Sequence, residues 1–316
     1  MANSGYLSFI IRMTNTASPS ASTRDWILIV TLAAIWGSSF LFGRILMLEW
    51  PPFTVVFLRV ALAAITLWAF LVMTGRKMPT NRHLLFGILV MGIINNVIPF
   101  SLILIGQQEI GSSLASVVNA MTPIWTLIIA NSLTSDEKFS GNKVIGIFLG
   151  FIGVTVLIGS DLIAGLHASA WAQAAVLGAT ISYGFAGVFG KRFREMDPIS
   201  IATGQLTASS LVMLPIMIFT EGFFRIGWPN TELAISMIGL AVVCTAFAYV
   251  LFFTVLASAG ATNVSLVTFL VPVSAIVLGN LWLGEALTTA NLLGMCLILA
   301  GLAFIDGRIT RTFLKN

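Results

Sequence analysis

Residues 111–131 read GSSLASVVNAMTPIWTLIIAN, and 149 positions further on residues 260–280 read GATNVSLVTFLVPVSAIVLGN. Gly111, Ser116, Val118, Pro123 and Asn131 recur in order as Gly260, Ser265, Val267, Pro272 and Asn280. Apolar stretches match by chance easily, so the common order carries the weight. Working outward at an offset of 148, Glu137, Gly146 and Gly153 recur as Glu285, Gly294 and Gly301. At 147, Trp36-Gly37, Phe42-Gly43, Arg44 and Pro51 recur as Tyr183-Gly184, Phe189-Gly190, Lys191 and Pro198. The offset drifts only in loops, so one unit has been used twice.

Each unit holds five apolar runs. They lie at about 26–48, 53–73, 84–105, 112–133 and 144–159, then 170–189, 199–219, 233–257, 262–283 and 287–305. Most have the ~20 residues that carry a helix across a bilayer core, and continuous rather than alternating apolarity favours helices over a barrel. Composition agrees: 58% of residues are hydrophobic and 9% charged, with a mean hydropathy of +1.00. Roughly 25% charge is usual for a soluble domain, whose surface must face water. The predicted fold class is an all-α polytopic membrane protein, its ten transmembrane helices forming two five-helix repeats. An odd number of spans per unit turns the second copy over in the membrane.

Charge sets the orientation. Of the basic residues, Arg44 and Arg225 fall on one side, Arg59 lies within a span, and the rest lie on the side of the N-terminus. The positive-inside rule then places both termini in the cytoplasm. The expected organisation is a flexible tail over 1–25, a first repeat over 26–160, a second, inverted repeat over 170–306 and a basic tail over 307–316. A pI near 9.4 then reflects topology and anionic lipid, and needs no nucleic-acid partner.

The segments IWGSSFLFGR (35–44), PPFTVVFLRV (51–60), NAMTPIWTLIIA (119–130) and FLVPVSAIVLGNLWLGEALTTANLLGMCLILAGLAF (269–304) resemble the drug/metabolite transporter superfamily, EamA type. The resemblance covers nearly the whole chain after residue 25. It implies ten helices as inverted repeats, a central cavity, and export or exchange of small metabolites; within the superfamily the similarity points to the bacterial amino-acid exporters.

A polar side chain in hydrocarbon is costly unless it is paired or faces a wet cavity. In the fourth span Ser112, Ser116, Asn119, Pro123 and Thr126 share one helical face, and Ser265, Thr268 and Pro272 take matching places in the ninth. Asn95 and Asn96 in the third span match Cys244 and Thr245 in the eighth. Pro123 and Pro272 each remove a backbone donor, which leaves acceptors near residues 119 and 268 free and makes both sites candidate hinges. The expected substrate-binding set is Trp36, Ser39, Asn95, Asn96, Asn119, Thr122, Tyr183, Thr245, Tyr249, Ser265 and Thr268. Asn119 and Thr268 would accept from an ammonium, the Asn95 and Asn96 amides would donate to a carboxylate, and the rings of Trp36, Tyr183 and Tyr249 suit an amphiphile. The competing reading is that these groups only kink and cap helices for packing. Arg59, the one ionic residue well inside a span, has three readings: snorkelling outward, an ion pair with Glu49 or Glu109, or a grip on a substrate carboxylate.

No span core holds an acid, which disfavours a carboxylate proton relay. No catalytic or metal-ligand set is seen, no cofactor is called for, and no phosphate-binding loop of an ATP-driven pump occurs. Cys244 and Cys296 both fall in apolar runs, as packing residues do. The leading expectation is a non-ATP exporter of neutral or aromatic amino acids working by alternating access in a bacterial inner membrane. Its expected partners are a small-molecule substrate, the lipid bilayer and a second copy of the chain as a homodimer. The rivals are multidrug or nucleoside/purine efflux and, from another class, a receptor or enzyme that moves nothing.

Overall fold

The computed structural model describes residues 22–133, 141–163, 167–193, 195–222, 229–259 and 267–306. The terminal tails beyond these bounds, Ser265, Gly260 and Glu137 therefore lie outside the described residues. Among the described residues every regular element is helical: α1 (Thr23–Met47), α2 (Pro52–Met73), α3 (Arg82–Gly106), α4 (Ser112–Leu133), α5 (Gly141–Ile163), α6 (His167–Gly190), α7 (Pro198–Thr220), α8 (Thr231–Leu256), α9 (Val267–Leu283) and α10 (Thr289–Asp306). Seven of them, α1–α4 and α6–α8, are long and apolar enough to cross a membrane, and the apolar parts of α5, α9 and α10 are shorter. Large apolar side chains such as Ile65, Phe148, Leu211 and Phe219 stand exposed on the outer faces, as they do where the solvent is lipid.

Helix starts follow from local chemistry and from long-range carboxylates. Ser22 caps α1 and forms a capping box with Asp25. The first turn of α2 opens on Pro52, and Glu221 at the far end of α7 accepts from Phe53 N (2.9 Å) and Thr54 N (2.7 Å). At the other end of the same pair Arg76 meets Asp197, and Ser200 Oγ donates to Lys77 O at 3.0 Å. The first turn of α4 is held by Glu285, from the connection between α9 and α10. Its carboxylate accepts from Ser112 N (2.7 Å), Ser113 N (2.8 Å), Ser112 Oγ (3.0 Å) and Ser113 Oγ (2.6 Å). Gly111 and Gly279 make room for it, since a Cβ on either would fall within 2.7 Å of the Glu285 carboxyl group.

Close helix contacts rest on small residues, the usual device where lipid supplies no hydrophobic drive between helices. A Cβ on Gly37 of α1 would lie 1.9 Å from Ser274 Oγ of α9, and that hydroxyl donates to Ala33 O at 2.9 Å. The α5–α10 pair is the most extensive helix contact. It brings Gly153 against the α10 backbone and Gly301 against the α5 backbone.

Among the described residues, two segments take the wider π-helical turn, Ile93–Val97 in α3 and Gly239–Phe247 in α8. The first contains Asn95 and Asn96, the second Cys244 and Thr245, so the counterpart polar pairs share one irregularity. Pro99 lies just after the first segment and removes a donor there; Ile98 N accordingly bonds back five residues to Ile93 O. The second has no proline nearby, and Thr245 Oγ1 donates five residues back to Leu240 O at 2.8 Å.

The fourth span is interrupted. One helical segment ends at Asn119 and the next begins at Thr122, so the break is at Ala120–Met121 and Pro123 sits in the first turn of the resumed helix. The expected free acceptor at residue 119 is absent: Thr122 Oγ1 donates to Asn119 O at 2.8 Å. Thr122 thus closes the gap its neighbouring proline opens. α9 runs on through Pro272 without a break. Ser116 Oγ likewise donates to its own helix, at Ser113 O, and Ser112 is taken by Glu285.

Candidate functional site

The first π-helical segment meets Tyr249, two residues past the second, in a buried polar network. Asn95 Nδ2 donates to Tyr249 Oη at 3.1 Å, and Tyr249 Oη donates to Asn96 Oδ1 at 3.2 Å. Asn96 Nδ2 donates to Ser209 Oγ of α7 at 3.1 Å, and Ser209 Oγ contacts Gln205 O at 2.6 Å and Gly92 O at 3.1 Å. Asn96 and Ser209 are wholly buried. A π-helical turn widens the backbone and is frequent at functional sites; here it turns two adjacent asparagines onto one tyrosine. The Asn95 and Asn96 amides, expected as free donors to a carboxylate, are both engaged within the protein.

Arg59 reaches this network from α2. It is 8% exposed, so it does not snorkel into water. Nε donates to Thr245 Oγ1 at 2.9 Å, and the guanidinium carbon lies 3.6 Å from the centre of the Phe100 ring, a cation–π contact. Tyr183, Cys244 and Tyr249 are its other polar neighbours. Neither expected ion pair forms: among the described residues the one salt bridge joins Arg76 and Asp197. A guanidinium carries five N–H donors. Among the described residues Thr245 is the one hydrogen-bond acceptor, so the two Nη groups keep their donors uncommitted.

An aromatic row leads away from the network. Tyr249 stacks on Phe253 with ring centres 6.3 Å apart, Phe253 meets Phe252 edge-on at 5.2 Å, and Phe252 meets Trp36 at 5.7 Å. The structure therefore brings together Arg59, Asn95, Asn96, Tyr183, Thr245 and Tyr249, and connects Trp36 to them through two phenylalanines. Ser39 Oγ bonds back to Trp36 O. Among the described residues no hydrogen bond joins Asn119 or Thr122 to this network. They flank the α4 break, where Asn119 Oδ1 and Trp125 Nε1 are buried without hydrogen-bond partners. Thr268 belongs to α9 and Ser265 lies outside the described residues.

Sequence reasoning missed Phe100, Phe252, Phe253, Ser209 and Gln205. Gln205 was readable, because it is a polar residue beside Leu206, the position that matches Arg59 at the offset of 147; it is buried and faces the Tyr249 hydroxyl. Ser209 and the phenylalanines carry no signal of their own, being four among many serines and 23 phenylalanines. Removing one bridging group tests the network. Tyr249→Phe keeps the ring stack and deletes the hydroxyl, and is expected to cost about 1–2 kcal/mol of stability, read as a lower thermal midpoint in detergent. An unchanged midpoint would mean the asparagine pair finds equal partners without it.

Membrane-length helices packed around a buried cation, an amide network and an aromatic row have the build of a polytopic membrane protein. The chain belongs to the EamA-like transporter family, which it matches twice, over residues 25–159 and 170–306. The two matches are the two sequence repeats. Among its relatives is an uncharacterized inner membrane transporter, YedA, of Escherichia coli K12, 27% identical over 87% of this chain and 88% of that protein. Another is a probable amino-acid metabolite efflux pump of the same strain, 26% identical over 89% of this chain and 94% of that protein. A solved crystal structure superposes with a TM-score of 0.65, covering 90% of this chain and 98% of the other at 16% identity, which shows a shared fold.

Proposed function

We propose that the protein is a secondary transporter that exports amino acids, neutral or aromatic, from a bacterial cytoplasm by alternating access. In this reading its ten spans form two inverted five-helix repeats with both termini cytoplasmic, and the two repeats rock about the polar network. The observation that carries the substrate class is Arg59: a buried guanidinium with its Nη fork uncommitted fits a carboxylate. The row from Tyr249 to Trp36 offers an apolar side chain a flat surface, and Asn119 Oδ1 is an unpartnered acceptor for an ammonium. A buried cation repels cationic drugs, which weighs against that rival. The relative named as an amino-acid metabolite efflux pump and the relative named as an inner membrane transporter support the same reading.

The test is counterflow in proteoliposomes with labelled amino acids, a nucleoside and a cationic dye. Amino-acid uptake is expected, with Arg59→Gln raising the half-saturating concentration about 10–100-fold. That range follows from the ~1.5–3 kcal/mol of a hydrogen bond to a charged group. Asn119→Ala is expected to weaken uptake less, because it removes one neutral acceptor. Uptake of dye or nucleoside without amino acid would overturn the substrate assignment.

A further inference from the structure

We propose that the preferred cargo is an amphiphilic carboxylate without an ammonium group, an N-acylated amino acid above all, and that it leaves as an anion driven by the membrane potential. The inference rests on the reading of Arg59 as the carboxylate site. Arg59 is the eighth of the 22 residues of α2 and is buried. All twelve Asp and Glu residues of the chain fall outside the described helices or within the first or last three residues of one. The interior of the described bundle thus holds a fixed cation and no fixed anion. The groups around the guanidinium, Thr245, Phe100, Tyr183, Tyr249 and Cys244, are neutral. Asn119, whose Oδ1 is the unpartnered acceptor, is neutral as well.

An amino acid brings a carboxylate and a second cation, so its site keeps a net +1 when loaded. An N-acylated amino acid brings the carboxylate alone and neutralises the site. At an effective dielectric of ~20, a second cation held ~6 Å from the guanidinium weakens binding on the order of 100-fold. The acyl amide keeps an N–H that can donate to Asn119 Oδ1 without that charge. Charge also sets the driving force. Arg59 lies buried without an anion in this structure, so the empty carrier is a permitted state and a one-way cycle is open. Each cycle then moves one negative charge outward. A membrane negative inside expels an anion by about 50-fold in concentration per 100 mV, which corresponds to ~2.3 kcal/mol. Neither a coupling ion nor a carboxylate proton relay is needed for that cycle.

The experiment compares labelled L-phenylalanine with labelled N-acetyl-L-phenylalanine in proteoliposomes. The N-acetyl compound is expected to half-saturate counterflow at a concentration about 10–100-fold lower. Arg59→Gln should pull that ratio toward one, and Arg59→Lys, which keeps the charge, should preserve it. Under an inside-positive potential of about 100 mV, set by potassium and valinomycin, the vesicles should accumulate the N-acetyl compound up to ~50-fold and bring L-phenylalanine only to the bath concentration. If Arg59→Gln does not fold, the wild-type ratio and its response to potential still decide. L-phenylalanine counterflow with a ratio of one or below overturns the anion preference and leaves the amino-acid reading standing. Accumulation of the N-acetyl compound that ignores the potential overturns the driving force. Transport of the N-acetyl compound without L-phenylalanine supports the anion and counts against the amino-acid reading. Movement of neither compound overturns both.

Discussion

Replacing Gly301 with leucine is expected to abolish the α5–α10 pairing and, with it, most of the properly folded protein. A Cβ at this position would fall 2.5 Å from Gly146 O, 3.0 Å from Gly150 N and 3.4 Å from Leu149 Cβ. Two of these atoms are backbone and cannot swing aside as a side chain would. The contact is reciprocal: a Cβ on Gly153, the repeat counterpart of Gly301, would lie 2.7 Å from Gly294 O and 3.1 Å from Ile298 N. Either leucine forces the helices apart along their length. Overpacking costs ~1–3 kcal/mol where side chains absorb it, and backbone contacts on both sides put this case at about 3 kcal/mol or above. The measurement is the monodisperse yield and thermal midpoint in detergent for Gly301→Leu and Gly153→Leu. Gly141→Ala serves as control, because nothing lies within 4 Å of a Cβ there. A normal midpoint for either leucine variant would mean the pair separates at no cost.

The second large effect is expected at Glu285. Glu285→Ala leaves the two backbone N–H groups and two hydroxyls at the start of α4 without their acceptor, in a turn where helix geometry already favours negative charge. Hydrogen bonds to a charged acceptor contribute ~1.5–3 kcal/mol when buried. The residue is only half-buried, so the four together are expected to contribute about 2 kcal/mol. Burial alone would raise the Glu285 carboxyl, but the bonds from Ser113 and Ser112 outweigh it and hold the group below the usual glutamate range. The sign follows. A carboxyl whose folded value is depressed stabilises the fold fully above the ordinary value of ~4.3 and loses that stabilisation as pH falls through the lower folded value. The residues lining the site beside it, Gly111, Leu287 and Asn291 among them, are uncharged, so no neighbouring titration masks the effect. Thermal midpoints from pH 7 to pH 3 should fall more steeply for the wild type than for Glu285→Ala. Parallel curves would place the clasp's contribution near zero.

The repeat, the helical class and the family were legible because they depend on order and periodicity, which a membrane chain displays openly. Arg59 was legible as an anomaly, since one charge among apolar residues needs a partner, but not its partner: Phe100 and Thr245 come from helices that only packing brings together. Pro123 announced a disturbance in α4 and misplaced its result, because the Thr122 hydroxyl competes for the Asn119 carbonyl and shifts the break to Ala120–Met121. The asparagine pair before Pro99 carried a signal for the π-helical turn of α3. Its counterpart in α8 has no proline and was not readable. Glu285 was recognised as a repeat position in a loop, yet its task depends on the first turn of α4, 172 residues earlier. A stretch of sequence states what a residue is and hides what reaches it.

The pairing of α2 with α7 has a mechanical corollary. Glu221 joins the two helices at one membrane face, and Ser200 with the Arg76–Asp197 pair joins them at the other. The exposed ion pair adds little by itself, but with the buried packing between the helices it fixes their register at both ends. α2 has 22 residues, a length of roughly 33 Å at 1.5 Å per residue, against a hydrocarbon thickness of ~30 Å. Two helices stitched at both rims cannot telescope. A thinner bilayer must therefore be met by tilting the pair as a whole or by puckering the lipids around it. Bilayer thickness enters this protein as a torque on one stiff strut.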